Sequence, residues 1–173
     1  MHTTEPFQIE GDDIILGIFG SSVFINTKKG EGIQERRTAT TRIVQVLQSI
    51  NPKLVYITPT PGVPLHLTTI LDYLKIPFII VSPSRGHFTR MSKKNKILLK
   101  RAIDSSKSVV VVNDVKATML NYLELEKQSE EFILESSDLI LSVYGSANSA
   151  NEDRRHEMLN EIEKDVIFLN YAT

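Results

Sequence analysis

Six short apolar segments, rich in β-branched residues, recur along the chain and restrict its fold more than any other feature. They read IILGIFG, LVYIT, FIIVS, SVVVVND, LILSVYG and VIFLNY, and they span 14–20, 54–58, 78–82, 108–114, 139–145 and 166–171. Most of them are continuously apolar rather than alternating, a pattern typical of strands covered on both faces. The six segments are therefore predicted to be strands of a sheet with helices on each side.

Five helical patterns separate these strands. The first, fourth and fifth cover about 32–50, 118–137 and 152–164. The second is marked by Leu67, Ile70, Leu71 and Leu74 and ends before Pro77, and the third is marked by Ile97, Leu98, Ala102 and Ile103. Five βα units that close on a sixth strand predict a single-domain α/β protein. We expect a Rossmann-like, doubly wound and mainly parallel sheet of about six strands with helices on both faces. Residues 1–13 are predicted to be an N-terminal arm and 14–173 the domain.

Composition excludes several classes of function. The chain has 173 residues, no cysteine and a net charge of −1, which excludes disulfides, thiolate metal sites and a cysteine nucleophile. Its four histidines are scattered without metal-ligand spacing, so neither a metal nor another cofactor is expected. The polar start does not read as a signal peptide, and no apolar run approaches the length of a membrane span. We expect a cytoplasmic protein that does not bind membranes.

Two breaks in the pattern, TPTPGVPLHLTT (58–69) and SPSRGHFTRMSKKNK (82–96), follow strands that we expect to be neighbours. Ligands of open α/β sheets bind where strands end, so the two breaks are predicted to be walls of one pocket. Thr60 and Gly62 are the candidates in the first break, and Ser84 and Arg85 in the second. The alternatives are a proline-stiffened connection and a solvated basic surface.

Three further strand ends carry candidate residues. GIFGSS contributes Gly20, Ser21 and Ser22, but it has neither the GxGxxG nor the P-loop spacing. VVND contributes Asp114, which could equally cap a helix. VYGSANSANEDRRHE contributes Gly145, Ser146 and, on the following helix, Glu157, for which a solvated helix position is the alternative.

Four segments in this order resemble the SLOG superfamily of Rossmann-like domains, which includes the DprA, cytokinin-activating LOG and YpsA-type proteins. The segments are IFGSS, VYITPTPGVPLHLTTILDYLKIPFIIVSP, KKNKILLKRAIDSSKSVVVVND and MLNYLELEKQSEEFILESSDLILSVYGSANSAN. The YpsA-type members are the most similar. The segment TPGVPL lies at the position of the glycine-rich turn of the YpsA-type proteins. The segment EEFILESSDLILSVY corresponds to a second segment that these proteins typically carry.

The resemblance implies a nucleotide-derived ligand in a cleft at the carboxyl ends of the strands. In this sequence that cleft would involve Gly20, Ser21, Ser22, Thr60, Gly62, Ser84, Arg85, Gly145 and Ser146. The chain departs from the PGGxGTxxE motif of the phosphoribohydrolases, because TPGVPLHLTT has no carboxylate and GSANSANEDRRHE lacks the glycine pair. The usual Gly-Gly pair of the YpsA-type turn is replaced by Thr-Pro, which leaves fewer N–H donors.

Three functions follow as hypotheses. The leading one is a module that senses or sequesters a nucleotide-derived or NAD-derived molecule without turning it over. Its expected partners are that ligand and a second copy of the chain. The first alternative is a nucleotide N-glycosidase or phosphoribohydrolase, for which Glu157 and then Asp114 are the candidate catalytic residues. The second is DprA-like binding of single-stranded DNA through Arg85, Arg90, Lys93, Lys94 and Lys96. The balanced net charge and the lack of interleaved aromatic residues argue against nucleic acid.

Overall fold

A parallel β-sheet with helices on both faces forms the fold of this chain. A computed structural model describes residues 2–3, 13–22, 33–89, 91–145 and 149–171, with the side chains of 2–3 and 33–35 excepted. The predicted α/β, Rossmann-like fold class is confirmed.

Within the described residues, seven strands form one sheet in the order β1-β7-β6-β2-β3-β4-β5, and every pairing between them is parallel. The strands are β1 (His2–Thr3), β2 (Ile15–Gly20), β3 (Leu54–Ile57), β4 (Phe78–Arg85), β5 (Ser108–Lys116), β6 (Leu139–Tyr144) and β7 (Asp165–Asn170). The six longer strands coincide with the six predicted segments. The two residues of β1 come from the predicted N-terminal arm and pair with Val166 and Ile167 of β7.

In the part of the chain that the structure describes, five helices cover the sheet: α1 (Ile33–Ile50), α2 (Val63–Tyr73), α3 (Lys93–Ser105), α4 (Tyr122–Ser136) and α5 (Ala150–Glu161). The helices α1, α2 and α3 contribute to one buried apolar cluster, in which Ile43, Leu67 and Ala102 are members. The helices α4 and α5 contribute Ile133 and Leu159 to a second cluster. The sheet therefore has three helices on one face and two on the other. Among the described residues, no helix combines the length and the apolar character that crossing a membrane requires.

The strand order reverses its direction between β2 and β6. The strand β2 pairs with β3 on one side and with β6 on the other, although β6 comes much later in the chain. The connections that leave the two strands diverge to opposite faces of the sheet, which opens a crevice beyond their carboxyl ends. This is the position at which open α/β sheets bind ligands.

Strand β4 continues beyond the predicted end at Ser82, through Pro83 and Ser84 to Arg85. Proline removes a backbone donor, but pairing with β3 already stops at Ile80, so no partner on that side requires the missing N–H. On the other side Ser82 and Ser84 still pair with β5. The second predicted break therefore begins within the strand rather than after it.

Strand β5 differs from the expectation that an apolar strand is covered on both faces. It forms one edge of the sheet, and Val109, Val111 and Val115 keep close to half of their surface exposed. The run of valines predicted the strand correctly, but an apolar sequence alone does not show whether another element covers it.

Candidate functional site

A cleft of about 720 Å³ lies at the carboxyl ends of the strands, within the size range of small-molecule sites. Its lining comes from the segments that follow β2, β3, β4, β5 and β6. The residues include Gly20, Ser22, Thr60, Pro61, Gly86, His87, Phe88, Thr89, Met91, Met119, Tyr122, Leu123, Glu126, Ser149, Asn151, Glu152 and Arg155. Residues of both predicted breaks contribute to this lining, so the two segments lie along the same cleft.

Three of the predicted site residues line the cleft directly: Gly20, Ser22 and Thr60. Gly62 lies behind them, in a left-handed conformation with φ of 102°. A Cβ atom at Gly62 would lie 2.4 Å from the carbonyl oxygen of Ser22, so only glycine permits this approach of the α2 start to the end of β2.

Two more predicted residues support the same region from the opposite side. Ser21 is buried, and its hydroxyl lies 3.2 Å from the hydroxyl of Tyr171. Gly145 packs against the same ring, since a Cβ atom there would lie 2.4 Å from Tyr171 Cζ. Both residues therefore hold the strand ends together rather than line the cleft.

The remaining predicted residues lie elsewhere or outside the described part of the chain. Arg85 and Asp114 form an ion pair of 2.7 Å whose side chains are mostly exposed, and Ser84 is buried within β4. Glu157 is exposed on α5. None of these four residues lines the cleft. Ser146 and Arg90 lie outside the described residues.

The first turn of α2 has its donors bonded within the protein. The N–H of Val63 donates to the carbonyl of Ser21 at 3.0 Å, and the N–H of Leu65 donates to that of Thr60 at 3.0 Å. Pro64 between them has no N–H. The start of α2 therefore offers few backbone donors to a ligand.

At the start of α5, a carboxylate of the protein itself accepts the backbone donors. Glu152 accepts from the N–H of Ser22 and from the N–H of Ser149 at 2.6 Å, while its own N–H donates to the Ser149 hydroxyl. This capping box ties the end of β2 to α5. Burial acts to raise the pKa of Glu152, but the hydrogen bonds outweigh that effect, and the pKa lies below its usual value. A negative charge therefore occupies the junction between β2 and α5.

A largely buried arginine forms part of the floor of the cleft. Arg155 donates to the carbonyl of Gly20 at 3.0 Å, lies 4.0 Å from the Glu130 carboxylate and stacks over the ring of Phe19 at 5.2 Å. Arg154 contacts both oxygens of Glu130 at 2.9 Å. Burial lowers the pKa of Arg155, which nonetheless stays charged because an arginine titrates so high. Its guanidinium group is already engaged with protein groups.

A second carboxyl group of the cleft, that of Glu126, has its pKa shifted in the opposite direction to that of Glu152. Glu126 accepts from Asn151 Nδ2 at 2.7 Å and from the hydroxyl of Tyr122. Burial, together with repulsion from Glu130, raises the pKa of Glu126 above its usual value. Burial and the neighbouring carboxylate also raise the pKa of Tyr122 to about 12. A carboxyl group that protonates readily is therefore available in the cleft.

Aromatic rings form another part of the lining. The rings of His87 and Tyr122 stack at 4.9 Å and 8°, and Phe88 meets His87 edge-on at 5.0 Å. Burial lowers the pKa of His87 below its usual value, which favours the neutral ring. Both of its ring nitrogens are shielded from solvent, and neither has a hydrogen-bond partner among the described residues. Buried polar atoms are normally paired, so this histidine has unused capacity for a hydrogen bond.

The sequence interpretation missed the charged residues of the cleft because they lie on helices. Ser149 and Glu152 do have the spacing of a capping box, a signal that could have been found. Tyr122, Glu126 and Glu130 recur every four residues, which places them on one face of α4. No sequence signal distinguishes Arg155 from a solvated arginine, since its burial depends on how α5 docks.

Neither models of protein families nor curated proteins give a match to the chain. Among the described residues, no group of three histidine, cysteine, aspartate or glutamate side chains has an arrangement that could hold a metal ion.

Proposed function

We propose that the chain binds a nucleotide-derived small molecule in the cleft at the carboxyl ends of its strands. The observation that carries the proposal is the composition of this cleft at the point where the strand order reverses. The stacked rings of His87 and Tyr122 offer a flat surface of the kind on which nucleobases stack. Ser22, Thr60 and Asn151 supply the hydroxyl and amide groups that suit a ribose.

The electrostatics of the cleft suggest which part of such a ligand meets the junction of β2 and α5. Glu152 already occupies the backbone donors there, and Arg155 is engaged with Gly20 and Glu130. A phosphate at this point would meet a carboxylate rather than free donors, and like charges at close range repel. The ligand is therefore expected to place a hydroxyl-bearing or neutral group here, with any phosphate elsewhere.

The test is to mix the purified protein with a pool of nucleosides, nucleotides, cyclic oligonucleotides and NAD derivatives. Unbound material is removed, the protein is denatured, and the released compounds are identified by mass spectrometry. An intact nucleoside-containing compound in near-stoichiometric amount supports binding without turnover. Recovery of no compound from the pool would refute the proposal.

Variants of Tyr122 connect this binding to the cleft. Tyr122→Leu should weaken the affinity by roughly five-fold to a hundred-fold, because stacking of one base on an aromatic ring contributes about 1–3 kcal/mol. Tyr122→Phe keeps the ring and should retain most of the affinity. Tyr73→Leu is the matched control, since Tyr73 lies exposed at the end of α2 and does not line the cleft. Equal affinities for the Tyr122→Leu and Tyr73→Leu proteins would place the ligand elsewhere.

A second candidate function is cleavage of an N-glycosidic bond, and the environment of Glu126 favours it. A carboxylic acid with a raised pKa can donate its proton to the leaving base while water attacks the sugar carbon. The products would be the free base and the sugar, each recoverable from the same pool. Glu126→Gln should then abolish turnover while the substrate still binds, and turnover at the wild-type rate would remove Glu126 from the mechanism.

A further inference from the structure

An apolar and strongly charged surface surrounds the free edge of the sheet at β5. Leu120 is fully exposed, Met119 and Leu123 beside it are mostly exposed, and Ile97 on α3 is 61% exposed. Monomeric proteins scatter such side chains singly, whereas a grouping of them around one sheet edge is typical of an interaction surface. This surface, made of α3, β5 and residues 117–124, is named the edge surface below.

The two helices that flank the edge surface carry opposite charges. α3 has five basic side chains and one acidic one, and α4 has five acidic side chains and one basic one. All the basic residues of α3 are exposed, as are Glu124, Glu131 and Glu135 of α4. Because α3 belongs to one face of the sheet and α4 to the other, their exposed charges do not neutralise each other within one chain.

The edge of β5 also exposes apolar side chains on the face of α3. Val112 packs toward the cluster of α4 and α5, so the alternate residues Val109 and Val111 point to the opposite face, which is that of α3. Ile97 and Ile103 of α3 are exposed as well. The face of α3 therefore offers an apolar strip bordered by lysines.

We propose that the edge surface binds a second copy of the chain, with α3 of each copy packed against α4 of its partner. A twofold axis parallel to β5 turns the partner's sheet over and brings its acidic α4 to the face of the basic α3, and the contact occurs twice. Both helices begin at the carboxyl ends of their strands, so Leu120 and Leu123 of one copy lie at the level of Ile97 of the other. This places apolar residues against apolar residues and acidic residues against basic ones.

The alternative symmetric arrangement pairs the two β5 strands antiparallel about an axis perpendicular to the sheet. It would bring α3 beside α3 and α4 beside α4, and in each case like charges would face each other across the interface. The charge distribution therefore favours the α3–α4 contact. Because Met119 and Leu123 also line the cleft, the second copy would border its mouth. The proposal itself does not rest on any bound ligand.

The test uses charge reversal on exposed residues of the full chain, with mass measured by sedimentation equilibrium over a wide range of protein concentration. The wild-type protein is expected to be a dimer. Lys96→Glu with Lys100→Glu reverses part of α3, and Glu124→Lys with Glu131→Lys reverses part of α4. Each double variant alone should dimerise at least about ten-fold more weakly, because each of its two contacts then brings like charges together.

A mixture of the two double variants is the decisive sample. In the mixed pair, reversed α3 meets reversed α4 and unchanged α4 meets unchanged α3, so both contacts are again complementary and dimerisation should return. Mixing that restores no dimer would overturn the α3–α4 contact, and a wild-type protein that stays monomeric at every concentration would overturn the proposal altogether. Leu120→Ser should weaken the dimer as well, whereas Tyr73→Ser, on an exposed position outside the edge surface, should not.

Discussion

Glu126 and Glu152 line the same cleft, yet their environments shift their pKa values in opposite directions. Both are taken partly out of water, which favours the neutral acid. Glu152 accepts two backbone N–H groups, which stabilise its charge, whereas Glu126 accepts only side-chain donors and lies near the Glu130 carboxylate. The cleft therefore holds one carboxyl group whose ionised form is stabilised and one whose neutral form is favoured relative to an exposed glutamate.

The role of Glu152 as an internal anion predicts a specific loss of stability. Glu152→Ala removes the acceptor of the Ser22 and Ser149 N–H groups, and the free energy of unfolding should fall by about 1–2 kcal/mol. Glu157→Ala makes the same chemical change on the same helix at an exposed position, and it should change the stability by less than about 0.5 kcal/mol. Urea unfolding of the two variants measures both effects.

The difference in stability between the wild-type protein and Glu152→Ala should depend on pH in a definite direction. Because the folded pKa of Glu152 lies below the usual value of 4.5, its contribution to stability is complete above that value and is lost as the pH falls through the folded pKa. The gap in stability between wild type and Glu152→Ala should therefore shrink on acidification. A gap that stayed constant into strongly acidic solution would show that the carboxylate charge does not stabilise the fold.

At the scale of elements, the strands and helices were predictable because their patterns depend on local physics. Strands buried on both faces need continuous apolar runs, and each run in the sequence became a strand within a few residues of its expected ends, except where β4 continued past Ser82. That extension was not predictable, because Pro83 reads as a break unless it is known that β3 has already stopped pairing. The exposure of β5 could not be predicted from the sequence either, since the exposure depends on the position of this strand at the edge of the sheet.

The candidate site was predictable only in part, for a similar reason. Residues chosen from the strand ends, such as Gly20, Ser22 and Thr60, do line the cleft, because strand ends of a parallel sheet meet at one edge. Glu126 and Arg155 lie on helices and resemble solvated residues in the sequence. Their burial follows from the docking of α4 and α5 on the sheet, which no local pattern encodes.

For the whole molecule, the reversal of strand order creates the cleft, because the segments after β2 and β6 diverge to opposite faces of the sheet. Backbone pairing joins the two strands at five residue pairs, and a side chain adds a link beyond that pairing. Arg155 of α5 does so by contacting Gly20 at the end of β2 and Glu130 of α4. The same residue therefore forms part of the cleft floor and ties the end of β2 to α4.

This link predicts that one buried guanidinium group contributes measurably to the stability of the fold. Arg155→Met keeps most of the apolar stem but removes the hydrogen bond to Gly20 and the contact over Phe19, so the free energy of unfolding should fall by about 2 kcal/mol. Arg37→Met, at an exposed position of α1, should change it by less than about 0.5 kcal/mol. Arg155→Lys retains the charge but not the planar donor group, and it should be intermediate. Denaturant unfolding separates these outcomes. Equal stability of the Arg155→Met and Arg37→Met proteins would mean that backbone pairing alone joins β2 to β6. Arg155 would then contribute to the cleft but not to the stability of the fold.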